Sequence, residues 1–126
     1  KVTWQRRAKN LSRRRIREKK EFEKMIVFVD IDETICRHDN SDTSRPRDYN
    51  RAIPIKENIE KVNAMYDSGD TIVYWTARGA KTGFDWTGLT SQQLQMWGCK
   101  YHELRLDKPY YDLFIDDKVL NTEDWE

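Results

Sequence analysis

Residues 25–36, MIVFVDIDETIC, begin as an uninterrupted apolar run and end in three acids and a threonine. Met25 to Val29 carry the β-branched and aromatic side chains that suit a buried strand. Asp30 and Asp32 then stand two residues apart, so a strand inside the fold delivers two carboxylates at its carboxyl end. One acid in that place is an ordinary turn former. The fold is decided by whether other strands end in the same way.

They do. The run TIVYW, 71–75, reads as a second strand and leads directly into Thr76. KYHEL, 100–104, reads as a third, and YDLFI, with residues 112–115 at its core, as a fourth that runs straight into Asp116 and Asp117. Between the first two strands, residues 37–53 are polar, contain a proline and lack helical periodicity, so they form a loop or a short hairpin excursion. Pro54 is placed to open a helix. Within that helix Ile55, Ile59, Val62 and Tyr66 fall at i, i+4, i+7 and i+11, one apolar stripe that Gly69 closes as a C-cap. A shorter helix is predicted from about Thr90 to Trp97, ending at Gly98, and Pro109 is placed to open a single helical turn. Strands alternating with helices are the pattern of a parallel sheet covered by helices, hence an α/β chain. In such open sheets ligands bind at the carboxyl ends of the strands. That edge would receive Asp30 and Asp32, Thr76, and the Asp116/Asp117 pair, with Lys108 arriving from the loop before the last strand.

Composition limits what else the chain can be. Its 126 residues suit one small domain with a modest core. A net charge of +1 hides an asymmetry: residues 1–24 hold eleven of the 23 Lys/Arg and three of the 22 Asp/Glu, a balance of +8 against −7 for residues 25–126. We therefore divide the chain into a basic arm, 1–24, and a body, 25–126. Trp4, Ala8 and Leu11 give the arm a thin helical stripe. It can act as a solvated helix face, dock on an acidic body of its own or a neighbouring chain, or hold nucleic acid through phosphate contacts. No apolar run is long enough to span a membrane and no secretory signal pattern is present, so a cytoplasmic location is expected. Cys36 and Cys99 lie far apart without CxxC spacing, which predicts two reduced, partly buried thiols rather than a zinc knuckle or a disulfide framework.

The ordered set of strand ends resembles the four motifs of the haloacid dehalogenase superfamily. DIDET, 30–34, is similar to its first motif, DxDx[TV]; Thr76 in IVYWTARG to its second; Lys108 in DKPYYD to its third; and LFIDD, 113–117, to its fourth. The resemblance covers nearly all of the body and leaves out the arm. It implies a Rossmann-like three-layer sandwich with a central parallel sheet. It also implies a phosphomonoester hydrolase in which Asp30 is the nucleophile and forms an aspartyl phosphate. Asp32 would protonate the leaving oxygen and later take a proton from water. Thr76 would donate to a phosphoryl oxygen and Lys108 would steady the nucleophile and the transferring charge.

Four aspartates facing a phosphate dianion require a cation beyond Lys108, and hard oxygen ligands point to Mg²⁺. The resemblance assigns the metal to the Asp30 side chain, the Asp32 backbone carbonyl and one acid of the last pair, Asp117 in contact with Asp116 behind it. Asp32 also argues for a phosphatase over a dehalogenase, since a halide leaving group needs no acid. Glu33 departs from the pattern, standing where glycine is common. The gaps between motifs are too short for a cap domain, so the site is open or covered by a neighbouring subunit, and a homo-oligomer is expected by analogy. More narrowly, residues 71–118 resemble small phosphatases of capsule and lipopolysaccharide biosynthesis, which implies a sugar phosphate as substrate. Arg78 is open to two readings, a ligand for substrate or phosphate and a loop hydrogen-bonder. Lys81, His38 and His102 read as surface or loop residues, and Trp75, Trp86 and Trp97 as core before stacking platforms.

Overall fold

A computed structural model describes residues 24–44 and 47–126. The expected helix around Trp4, Ala8 and Leu11 lies outside these residues. The chain is a mixed α/β protein with a small parallel sheet and two α-helices. Ile26–Val29 forms β1, Cys36–Arg37 β2, Ile53–Pro54 β3, Lys56–Asp67 α1, Thr71–Trp75 β4, Thr87–Met96 α2 and Glu103–Arg105 β5. Short 3₁₀ turns occupy Tyr49–Arg51 and Thr122–Asp124.

Strands β1, β4 and β5 make the parallel sheet in the order β1-β4-β5, with Ile26 opposite Thr71 through to Val29 opposite Tyr74, and Val73 opposite Glu103. The order explains the burial. Central β4 is covered on both faces, so three consecutive residues, Ile72, Val73 and Tyr74, are buried, as a parallel strand with two covered faces requires. Strand β1 lies at an edge and buries only Val29, leaving Ile26 and Phe28 exposed. Ile59 and Val62 of α1 and Leu94 of α2 join Ile31, Ile35 and Ile72 in the core. Each such side chain contributes about 1.5–3 kcal/mol by leaving water.

Residues 37–53 are the hairpin excursion the sequence suggests, closed by an antiparallel pair, Cys36 opposite Pro54 and Arg37 opposite Ile53. Pro54 belongs to β3 rather than to the first helical turn; Ile55 is the N-cap and its amide still bonds to the Ile35 carbonyl, which holds the chain extended one residue longer. Both expected glycine stops are present. Gly69 and Gly98 have positive φ, and the amides after them reach back along the helix, Asp70 to the Met65 carbonyl and Cys99 to Leu94, the paired bonds of a Schellman ending. Helix α2 begins at Thr87, three residues before its expected start, because the Asp85 carboxylate accepts the Thr87 amide at 2.9 Å and satisfies an otherwise orphaned donor. Strand β5 starts at Glu103 rather than Lys100, since the His102 ring, not a backbone carbonyl, accepts the Ile72 amide at 3.0 Å.

The fourth expected strand is absent, and so is the helical turn at Pro109. Residues 111–121 hold no regular element; Leu113 is 75% and Ile115 88% exposed. An apolar run is a strand only when another strand takes its amides. Here Asp116 instead accepts the Lys118 amide at 3.1 Å, a local turn that ends extension. The chain divides into two compact units. One is Ile26–Tyr110, which holds the sheet and both helices; of the other, Lys24, Met25 and Tyr111–Glu126 are described. No described helix is long and apolar enough to cross a membrane.

Candidate functional site

Asp30 stands one residue beyond β1, and Thr76 one residue beyond β4. Because Val29 is registered with Tyr74 on neighbouring parallel strands, the two chains leave the sheet side by side. Past Asp30 the backbone reverses tightly. The buried Ile31 carbonyl accepts the amides of Thr34, Ile35 and Cys36, and the Glu33 amide bonds to the Cys36 carbonyl at 2.8 Å. Closing this turn forces Glu33 to φ +64°, the left-handed conformation that glycine enters without a steric cost. The same turn is tied to α1 by the Asn58 side-chain amide, which donates to the Thr34 carbonyl at 2.8 Å. Asp32 is thereby presented by a rigid loop.

Lys108 joins Asp30 from the segment after β5. Its amide bonds to the Thr76 carbonyl at 3.3 Å and its Nζ lies 3.4 Å from Asp30 Oδ1. Thr76 is buried, its amide held by the Arg105 carbonyl and its hydroxyl oxygen accepting the Arg78 amide at 3.2 Å. Three of the sequence-derived residues are thus gathered at one sheet edge. Burial pushes the Asp30 carboxyl above the ordinary carboxylate value, and the Lys108 charge offsets this only in part.

Asp32 takes a different partner. The Arg78 guanidinium grips it with both ends of a fork, Nε to Oδ2 at 3.0 Å and Nη2 to Oδ1 at 2.9 Å. Its remaining hydrogens go to Thr90 at 3.1 Å and Gln93 at 2.6 Å from Nη1, and to Cys36 Sγ at 3.8 Å from Nη2. All five guanidinium donors are therefore used. Arg78 has a fully buried side chain, and the Tyr49 ring covers it at 4.6 Å. It is a hydrogen-bonding hub inside the loop cluster, with no donor left over for a substrate.

His38 completes the grip, with Nε2 at 2.8 Å from Asp32 Oδ1. Burial alone would push the Asp32 carboxyl up, but the bonds and charge of Arg78, with His38 behind them, prevail and hold it below the ordinary value. Asp32 is thus held in its ionised form.

Asp32, Cys36 and His38 also bring a carboxylate, a thiol and an imidazole within 4.8 Å of one another. Two features set this cluster apart from a metal centre. The Arg78 guanidinium already sits against Asp32 and Cys36, supplying the positive charge there. Burial and the Asp32 charge also push the Cys36 thiol far up, away from the thiolate that binds metal. With the Asp32 side chain committed to Arg78 and His38, the Asp30 carboxylate, whose side chain is 38% exposed, is a hard oxygen donor at this sheet edge that an ion such as Mg²⁺ would meet.

Asp116 and Asp117 belong to the other unit, where both are exposed. Lys81 lies over the Tyr110 ring and His102 stacks on Tyr66, structural positions for both. Trp75 packs edge-on against Phe28 and donates to Asp107 at 2.9 Å. The sequence reading of His38 as a loop residue missed its bond to Asp32, and Tyr49, Thr90 and Gln93 carried no pattern that singled them out. One signal was present for His38. Cys36 and His38 are two apart on an extended segment and so share a face, the face toward Asp32. Comparisons with family models, with curated proteins and with solved structures return no match to this chain.

Proposed function

We propose that this chain is a Mg²⁺-dependent phosphomonoester hydrolase of the haloacid dehalogenase type, a capless Rossmann-like domain acting in the cytoplasm on a sugar phosphate. The observation that carries the reading is the juxtaposition at the ends of β1 and β4: Asp30 with Lys108 Nζ at 3.4 Å, beside the buried Thr76. The motif resemblance assigns those three residues to nucleophile, charge stabiliser and phosphoryl donor, and the geometry is compatible with each role.

In this reading an Asp30 oxygen bonds to phosphorus as the ester P–O bond breaks, and the leaving oxygen takes its proton from Asp32. Water then attacks the aspartyl phosphate, releasing inorganic phosphate and the Asp30 carboxylate, and its proton passes to Asp32. Lys108 and the Thr76 hydroxyl offset charge on the phosphoryl oxygens. By the resemblance, the Asp30 carboxylate and the Asp32 carbonyl would hold Mg²⁺, which would supply further neutralisation of that charge. The resemblance adds Asp117 to its ligands, and Asp117→Asn tests that assignment by its demand for higher Mg²⁺.

The deciding experiment is a panel of phosphate esters, sugar phosphates, nucleotides, phosphopeptides and 3′-phosphorylated DNA, with and without Mg²⁺. Phosphate release should require the metal and fall by about 10³-fold or more in Asp30→Asn. If no ester is hydrolysed, or if Asp30→Asn matches the unsubstituted protein, the proposal fails.

A further inference from the structure

The negative charge of the body is not spread evenly along it. Residues 111–126 hold six of its nineteen acids, Asp112, Asp116, Asp117, Glu123, Asp124 and Glu126, and one of its twelve Lys/Arg, Lys118, a balance of −5. Residues 25–110 therefore carry only −2 of the −7. Electrically the chain is a +8 arm, a nearly neutral middle and a −5 tail. The tail is apolar as well as acidic. Leu113 and Ile115 are the most exposed of its large side chains, and Phe114 and Val119 are exposed with them, although residues 111–121 belong to no regular element. Apolar side chains gathered in this way mark a surface that another element covers, unlike the single ones scattered over an ordinary exterior.

We infer that the basic arm, 1–24, docks on the acidic, apolar tail, 111–126, of its own chain. Position comes first. Lys24 and Met25, where the arm joins the body, belong to the same compact unit as Tyr111–Glu126, so the arm is rooted beside the tail. Thirteen residues, 12–24, separate that root from Leu11, the last residue of the apolar stripe. Extended, they reach about 40 Å, so the linker leaves Trp4, Ala8 and Leu11 free to lie anywhere along the tail. Tethering also favours the chain's own tail over that of a second copy, because a short flexible linker sets an effective concentration of about millimolar order.

Charge and apolar surface then select the same partner. Six of the eleven cations of the arm are arginines, whose planar forks match carboxylates. Trp4, Ala8 and Leu11 supply an apolar stripe for Leu113 and Ile115, which a nucleic-acid backbone would leave uncovered. Phosphate would meet only the charge of the arm, whereas the tail meets both its charge and its stripe. Docking of this kind holds whether or not the chain hydrolyses phosphate esters. It makes the tail an internal competitor that withdraws the arm from other polyanions.

The test uses the full chain with a nitroxide spin label on Ser12→Cys in a Cys99→Ser background, Cys36 being fully buried. Amide resonances of residues 112–120 should broaden when label and isotope are on one chain, and stay sharp when the label is on an unenriched copy mixed with an enriched one. No broadening, or equal broadening from the other copy, overturns the inference. A second measurement reads the competition, as binding of a fluorescein-labelled oligonucleotide at about 50 mM salt. One variant neutralises the tail, Asp112→Asn with Glu123→Gln and Asp124→Asn. Its control, Glu57→Gln with Glu60→Gln and Glu103→Gln, removes the same charge from exposed positions on α1 and β5. Freed from the tail, the arm should hold the oligonucleotide about tenfold more tightly than in the control. Equal affinity in the two variants overturns the inference, as does an unsubstituted chain that binds as tightly as the tail variant.

Discussion

Replacing Arg78 with Met should destabilise the protein by about 3 kcal/mol at neutral pH, the lower end of the range for breaking a buried ion pair. The figure comes from the contacts of the guanidinium. Asp32 would lose two charge-assisted bonds, and Thr90, Gln93 and Cys36 would each lose a donor. The Asp32 side chain keeps 20% exposure, so water takes up part of the loss and the upper end of the range does not apply. In a 126-residue chain about 3 kcal/mol corresponds to a fall in Tm of about 10 °C.

Urea unfolding without Mg²⁺ measures it, with the slope checked for constancy. The pH dependence has a definite sign. Because the folded-state pKa of Asp32 is depressed, the pair's stabilisation is complete above the unfolded carboxylate value of about 3.9 and is lost as pH falls through the folded value. The gap between the unsubstituted protein and Arg78→Met should therefore narrow at about pH 3. Arg78→Met combined with Asp32→Asn should recover about 2 kcal/mol relative to additivity, since no uncompensated charge remains. A single-variant loss below about 1 kcal/mol, or full additivity in the double variant, would refute the grip on Asp32.

Three further outcomes are expected. Glu33→Gly relieves a left-handed φ worth about 1–2 kcal/mol while loosening the unfolded chain by about 0.4–1, so thermal unfolding should show a gain of up to about 1.6 kcal/mol; a clear loss would mean the turn after Asp32 is not left-handed. Gly79→Ala introduces both a strained φ and a backbone clash, and should cost about 3 kcal/mol or more in urea unfolding; a neutral effect would contradict the fold-back of its loop. Cys36 is fully buried, and burial pushes the half-buried Cys99 up to about 11, so neither thiol should react appreciably with a disulfide reagent until denaturant is added. Rapid native labelling of Cys36 would show that the hairpin does not cover the Asp32 turn.

Sequence reading succeeded where a local pattern and the tertiary environment ask for the same thing. TIVYW has the residues of a strand with two covered faces and occupies the centre of the sheet. Gly69 and Gly98 stand where only a left-handed residue closes the helix, so position alone identified both stops. It failed where a tertiary partner decides. LFI at 113–115 has the composition of a strand, but composition cannot supply the neighbour that takes its amides, and the Asp116 turn ends it. The start of α2 differs for the opposite reason: a local signal exists, the Asp85 carboxylate two residues ahead of Thr87.

Arg78 is the most instructive case, because no one-dimensional pattern shows that separate stretches of chain will meet at one guanidinium. Asp32, Cys36, Thr90 and Gln93 come from the first turn, the hairpin and α2, and each contributes an acceptor. The convergence has a chemical consequence for the two acids of DID. Asp30 and Asp32 are two residues apart in sequence and alike in isolation, yet burial holds the first up and the Arg78 fork holds the second down. Carboxyl pairs driven apart in this way divide acid and base work between them. In the proposed hydrolase, the Arg78 fork keeps Asp32 ionised, so it seldom carries the proton that the leaving oxygen needs in the first half-reaction. The first half then leans on the stability of the departing oxyanion. Such a site should turn over esters of acidic alcohols faster than those of simple alkyl ones, and replacing Arg78 should compress that preference.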